Sequence, residues 1–276
     1  MEENRLMEDV AKALENVRAQ CPLIHNITNY VTVNDVANIV LAVGASPIMA
    51  DDIAEAGDIA SIAGALVLNI GTLNARTVES MVEAGKRANQ AGVPVVLDPV
   101  GAGASALRNE TTERLLKEVK LTVLRGNLSE ISFIAGEQSN TKGVDAGEAD
   151  ADNDAVAIAK KVAKQLGCVV GITGQVDVVS DGTRVAKIEN GVKLLGKVTG
   201  TGCMTSALVG SYCGANRDAF TATVAGIATM GMAGEISYKA QADRGTGSFH
   251  IGIIDAVSRM DGETVKAWAK LHEVER

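Results

Sequence analysis

The chain has 276 residues, 46% of them hydrophobic and 3% aromatic, with a formal net charge of −8. That length and apolar content supply a sizeable core, while the acidic balance and the scarcity of rings exclude a nucleic-acid-binding face and point to small-molecule work. The cysteines, Cys21, Cys168, Cys203 and Cys213, show no CxxC or other metal spacing, and "MEENRLMEDV" lacks the basic-then-apolar layout of a signal peptide, so a reducing cytoplasm is expected.

In chain order, short apolar runs recur with helix-like segments between them. "PLIHNI", "SPIMA", "ALVLNIG", "VPVVLDPV" and "LTVLRGN" read as buried strands; helices are expected at 33–43 closed by Gly44, 52–63 closed by Gly64, 75–91 closed by Gly92, and 111–120. This alternation predicts an α/β fold with a mainly parallel sheet. After a helix at 128–135, the polar stretch "GEQSNTKGVDAGEADADND" reads as a solvated loop leading to a helix at 154–166. "CVVGITG", "DVVSDG" and "RVAKIEN" follow as strands, with Asp181-Gly182 as a hairpin turn, which places antiparallel strands at one sheet edge. The uncharged runs 198–216 and 219–234 are rich in Gly, Thr and Ser, and read as buried helices rather than membrane spans. No linker or internal repeat divides the chain, so residues 1–276 are expected to form a single domain.

Three strand ends carry candidate chemistry. "TGTGC" opens the long small-residue helix, so backbone N–H groups from Gly200 through Thr201 and Gly202 to Cys203 form a candidate anion hole at the positive end of a helix dipole. A thiol at that position favours its thiolate and could serve as a base; a small buried hydrophobe is the other reading of Cys203, and it describes the remaining cysteines well. Asp98 ends an apolar strand at the carboxyl edge where open α/β sheets bind ligands, or is a turn residue stiffened by Pro99. Arg125, Asn127 and Glu130 sit at the next strand end, where Asn127 and Glu130 also match a capping box. Two acids, an arginine and a glycine-lined anion hole on one edge suit a magnesium nucleotide.

The segments "HNITNYVTVNDVAN", "GASPIMA", "LNIGTL", "VVLDPVGAGAS", "RGNLSEI", "GITG" and "VTGTGCMTSALVG" together resemble the hydroxyethylthiazole kinase family of the ribokinase-like superfamily, over nearly the whole chain. The resemblance implies a three-layer ribokinase-like fold and transfer of the ATP γ-phosphoryl group to the hydroxyl of 4-methyl-5-(2-hydroxyethyl)thiazole for thiamine synthesis. Cys203 stands where most of the superfamily carries a basic aspartate, so it is implied to be the catalytic base. Asp98 and Glu130 are the implied Mg²⁺ residues; Arg125, Thr173 and Asn127 are implied on the ATP side. Met49, Gly200, His25, Asn26 and Asn29 are implied to line the thiazole pocket. A homotrimer with pockets between subunits is implied as well. Taken by themselves, His25 is as well explained as a core histidine, Asn26 and Asn29 as turn residues, Thr173 as a strand-end turn and Met49 as core. Rival readings are another ribokinase-like activity, such as an ATP-dependent dehydratase, and a non-catalytic metabolite-binding protein. A dinucleotide-binding dehydrogenase is disfavoured because no GxGxxG follows the first strand.

Overall fold

A computed structural model describes residues 2–137 and 148–275, the side chains of 2–4, 148–153, 242 and 275 aside. Among these residues one sheet carries nine strands: β1 (Leu23–Ile27), β2 (Ser46–Ile48), β3 (Ala65–Asn69), β4 (Val95–Asp98), β5 (Val123–Asn127), β6 (Val169–Thr173), β7 (Asp177–Ser180), β8 (Val185–Ile188) and β9 (Leu271–Glu275). Their order is β2-β1-β3-β4-β5-β6-β7-β8-β9, parallel from β2 through β6 and antiparallel from β6 to β9. The sheet is buried on both faces, as parallel strands must be. Val67, Val96 and Val123 join one apolar cluster, while Leu66, Leu68, Leu97 and Leu124 join the other, which is the period of two made visible.

Helices cover both faces and make the third and first layers. On the valine side lie α1 (Glu2–Gln20), α2 (Val33–Val43), α8 (Thr201–Ala215), α9 (Ala219–Gln241), α10 (Thr246–Arg259) and α11 (Gly262–Trp268). On the leucine side lie α3 (Ala56–Ile62), α4 (Ala75–Ala91), α5 (Ala106–Glu118), α6 (Leu128–Ile134) and α7 (Glu148–Leu166). Small residues let α8 lie flat on the sheet: a Cβ added at Gly210 would overlap Val67. Among the described residues α9 is the one helix long and apolar enough to cross a membrane, and 78% of its apolar window is buried inside the fold.

Helices α2 and α4 coincide with expectation, each ended by a left-handed glycine, Gly44 and Gly92. Several boundaries differ. Helix α3 starts at Ala56 because Asp52 first turns the chain by accepting from Ala54 N, and it stops at the extended Ala63 rather than at Gly64. Helix α5 starts at Ala106, five residues before the expected 111, because Ser105 caps it by accepting from Arg108 N. Part of the expected polar loop is helical, since α7 already begins at Glu148; residues 138–147 of that stretch lie outside the described residues. Strand β9 and helix α1 were not anticipated, and β9 completes the antiparallel edge by pairing with β8.

The chain runs from β1 outward to β2 and returns to β3 on the other side of β1. The loops leaving β1 and β3 therefore diverge at their carboxyl ends, the place where open α/β sheets bind ligands.

Candidate active site

At the start of α8, Gly200 takes a left-handed conformation (φ 85°), and the helix has no side-chain cap. A Cβ at this position would lie 2.8 Å from Thr32 Cγ2, so only glycine lets the turn pass so near α2. The N–H groups of Thr201, Gly202 and Cys203 belong to the first helical turn, which has no intrahelical acceptor for them. All three residues are partly exposed, and Thr201 Oγ1 donates backwards to Leu195 O (3.2 Å). This is the candidate anion hole.

Asp98, at the end of β4, is the buried hub facing that turn. Its Oδ2 accepts from Asn69 Nδ2 (2.8 Å) and Ser206 Oγ (2.7 Å), and Arg125 Nη1 lies 3.7 Å away. Burial is the main cause that pushes its carboxyl up to about 6; Arg125 and the two hydrogen bonds pull down, and the charge of Glu130 pushes up. The described residues give Asp98 Oδ1 no hydrogen bond. Glu130 is engaged on both oxygens, Oε1 by Gly101 N (2.8 Å) and Oε2 by Asn127 N (2.8 Å), and Asn127 Oδ1 returns the capping box by accepting from Glu130 N (2.9 Å). The cap and the acid are therefore one device: Glu130 ties the loop after β4 to the start of α6.

Arg125 links the sheet to the helix. Its Nη1 donates to Gly202 O (3.1 Å) and its Nη2 to Thr173 Oγ1 (2.6 Å), so the guanidinium lies under the first turn of α8 and against the end of β6. Thr173, Arg125 and Asn127 border a cavity of about 930 Å³. Its apolar wall includes Val176, Val192, Leu195, Ile227 and Met230, its mouth reaches Thr201 and Gly202, and Asp177 lies in its lining. That volume and that mix of apolar wall with a few polar groups are those of a nucleotide-sized pocket. Burial pushes the carboxyl of Asp177 up to about 7, against the bond from Gly174 N.

On the other side of α8, Cys203 Sγ accepts from Asn29 Nδ2 (3.2 Å), and the same amide donates to Asn69 Oδ1 (3.0 Å). Met49 and Cys203 pack, half-buried, against one apolar cluster. His25 is fully buried, and its Nε2 is 2.7 Å from Ala50 O; a carbonyl can only accept, so Nε2 carries the hydrogen and Nδ1 is left as an acceptor. Desolvation lowers the tendency of this ring to protonate, so it is neutral at pH 7. Asn26 donates to Ile24 O (3.0 Å). Being consecutive on a strand, His25 and Asn26 project from opposite faces of β1, so the strand brings only one of them to any one wall.

The structure thus gathers Cys203, Asn29, Asp98, Arg125, Thr173, Asn127, Glu130 and the Gly200 turn along one edge. It links neither His25 nor Asn26 to them by a hydrogen bond. Sequence reasoning passed over Asn69, Ser206 and Arg108. Arg108 donates to Ile70 O, Gly71 O and Val100 O, and so clamps together the loops after β3 and β4. A signal for Asn69 was present, since "ALVLNIG" and "VVLDPV" both end a buried strand in a polar residue, and the register pairs Asn69 with Asp98.

Residues 14–263 match the Hydroxyethylthiazole kinase family. A protein of Ruminiclostridium cellulolyticum named hydroxyethylthiazole kinase is 62% identical over 268 residues, covering 97% of this chain and 98% of the relative. Among solved structures, that of a hydroxyethylthiazole kinase protein from Pyrococcus horikoshii OT3 superposes with a TM-score of 0.88 at 39% identity, covering 96% and 99% of the two chains. An ADP complex of Bacillus subtilis pyridoxal kinase shares the fold, with a TM-score of 0.57 at 20% identity and coverage of 74% and 88%.

Proposed function

The chain belongs to the hydroxyethylthiazole kinase family, and on that premise we propose how its residues carry out phosphoryl transfer from ATP to the hydroxyl of 4-methyl-5-(2-hydroxyethyl)thiazole, the step that yields the thiazole phosphate for thiamine synthesis and salvage. The observation that carries the assignment is the single edge on which Asp98, Arg125 and the uncapped start of α8 face one another, with Cys203 on that same turn.

ATP occupies the large cavity with its base against Val176, Ile227 and Met230, Arg125 and Thr173 lie beside its phosphates, and the N–H groups of Thr201, Gly202 and Cys203 receive the terminal phosphoryl oxygens. The donor set fits a hard divalent cation of the Mg²⁺ type, which is held by one or two carboxylates together with phosphates and water. Asp98 offers its unbonded Oδ1, whereas Glu130, with both oxygens on backbone N–H groups, acts through water. When bound, the cation neutralises charge on the phosphates as the transferred group leaves.

The thiazole alcohol lies against Met49 and the Gly200 turn, with Asn26 and Asn29 nearby, and His25 holds the Ala50 carbonyl next to Met49. Its hydroxyl oxygen attacks the γ-phosphorus, the bond from that phosphorus to the bridging oxygen of ADP breaks, and the hydroxyl proton passes to Cys203 Sγ. Because the transition state is loose, positioning and charge neutralisation supply most of the acceleration and the base a smaller part.

Residues 1–276 act as one kinase domain in this reading. Tyr30 and Val31, 79% and 56% exposed, directly follow Asn29 and border the thiazole end, which supports a homotrimer whose neighbouring copy closes the pocket; light scattering checks it. Free thiols, including the exposed Cys21, support a cytoplasmic setting. A coupled ADP-release assay tests the substrate: the thiazole alcohol turns over, and the aminopyrimidine alcohol and ribose do not. Turnover of either of those in its place would favour a different ribokinase-like activity.

A further inference from the structure

Two side-chain amides at the site have their orientations fixed by their neighbours. Asn29 Oδ1 accepts from both Thr32 N (3.1 Å) and Thr32 Oγ1 (3.1 Å), so the two hydrogens of Nδ2 go to Asn69 Oδ1 (3.0 Å) and Cys203 Sγ (3.2 Å). Asn69 Oδ1 accepts from Gly71 N (2.9 Å) as well as from Asn29, so Asn69 Nδ2 faces Asp98 Oδ2 (2.8 Å). Flipping either amide would set like groups against each other. The loop after β3 is built for this approach, since a Cβ at Gly71 would lie 2.9 Å from both Asn29 Nδ2 and Asn69 Oδ1. Asn69 is 2% exposed and Asn29 4%.

We propose that Asn69 is a positioning residue for the phosphoryl-transfer step: anchored on Asp98, it holds the Asn29 amide so that one N–H is aimed at the Cys203 sulfur. A donor aimed at sulfur stabilises the thiolate over the thiol, and the same chain of bonds keeps the proton acceptor and the cation-side acid in fixed relation. Asn29 then serves the sulfur rather than only the thiazole. Asn69 itself makes no hydrogen bond to the sulfur.

The kinetic consequence rests on Cys203 being the proton acceptor, yet the central test needs no turnover. Iodoacetamide modification of the folded enzyme is followed on the Cys203 peptide by mass spectrometry, which separates it from the exposed Cys21. The quantity read is the ratio of the rate at pH 7 to the rate at pH 10, in which altered access cancels. Asn29→Ala and Asn69→Ala each lower this ratio by about tenfold, the size expected for one hydrogen bond to a charged acceptor. The double variant is no lower than Asn29→Ala alone, because Asn69 acts through Asn29. A wild-type ratio in Asn69→Ala, or a double variant lower by the product of the two effects, overturns the proposal. Asn69→Ser, which keeps a small polar group in the buried site, carries the same expectation if Asn69→Ala does not fold.

Kinetically, Asn69→Ser lowers kcat without a matching rise in the KM for ATP. A fall in kcat with an unchanged alkylation ratio means Asn69 acts only through Asp98, and this too overturns it. If Cys203→Ala keeps full kcat while the alkylation pattern holds, the positioning of the sulfur stands and its assignment as the base falls.

Discussion

Around Asp98 the buried polar groups bond to one another, with Asn69 and Ser206 on one carboxylate oxygen and Arg125 reaching from Thr173 to Gly202, whereas along the end of β1 three buried atoms, His25 Nδ1, Asn26 Oδ1 and Thr28 Oγ1, have no partner among the described residues. Arg125 Nε and Asp98 Oδ1 are the exceptions on the first side. A buried polar atom without a partner costs about 1–3 kcal/mol, so the contrast has physical content. The acid side has its polar groups already paired, while the β1 side holds polar atoms without a partner, His25 and Asn26 on opposite faces of the strand. The two halves should therefore respond differently to substitution.

On the organised side, Asp98→Asn removes the carboxylate but keeps an acceptor for Ser206, so the fold stays while kcat/KM falls by roughly 10³-fold, the scale of losing one electrostatic anchor at the transition state. Steady-state ADP release measures it, and a variant within tenfold of wild type would falsify the role of Asp98. Gly200→Ala comes next. A methyl group against Thr32 on a left-handed backbone shifts the first turn of α8, and displacement of that order costs about 10² in kcat. Unchanged turnover with a lowered Tm would confine Gly200 to the fold.

On the β1 side, Asn26→Leu should act on one substrate only. The KM for the thiazole alcohol rises about tenfold, the KM for ATP stays, and thermal stability holds or improves because a buried unpaired oxygen is gone. Equal rises in both KM values would erase the distinction between the halves. The smallest effect concerns Asp177, in the wall of the large cavity. Its carboxyl is pushed up to about 7 by burial, above the unfolded value of about 3.9. Between these values the folded protein keeps a proton that the unfolded chain releases, so stability falls as pH rises through this window and the penalty is complete above it. Asp177→Asn should raise Tm relative to wild type by more at pH 8 than at pH 5, by differential scanning fluorimetry. An equal difference at both would show that the acid carries no such penalty.

The same contrast explains what was legible in the sequence. The alternation of apolar runs with glycine-closed helices places β1 to β6 and α2 to α4 because each signal is local. Asp98, Arg125, Glu130 and the Gly200 turn stand at strand or helix ends, where position alone suggests a site. Asn69 and Ser206 reach Asp98 from 29 and 108 residues away, and only the β3–β4 register and the packing of α8 on the sheet bring them there. Arg108 is hidden for the same reason, because its acceptors are backbone carbonyls, which leave no trace in composition. Helix α1 lies in the helical layer on the valine face and strand β9 at the antiparallel edge of the sheet, and neither carries a turn signal or motif that announces it.

The sulfur on the first turn of α8 is expected to take the substrate proton. ADP release with the thiazole alcohol and ATP, measured at saturation for Cys203→Ala and Cys203→Asp, addresses it directly. The expected kcat is lower by about 10² for Cys203→Ala, a smaller loss than for Asp98→Asn, with much of it recovered in Cys203→Asp, whose carboxylate can accept the same proton. A wild-type kcat in Cys203→Ala would contradict it.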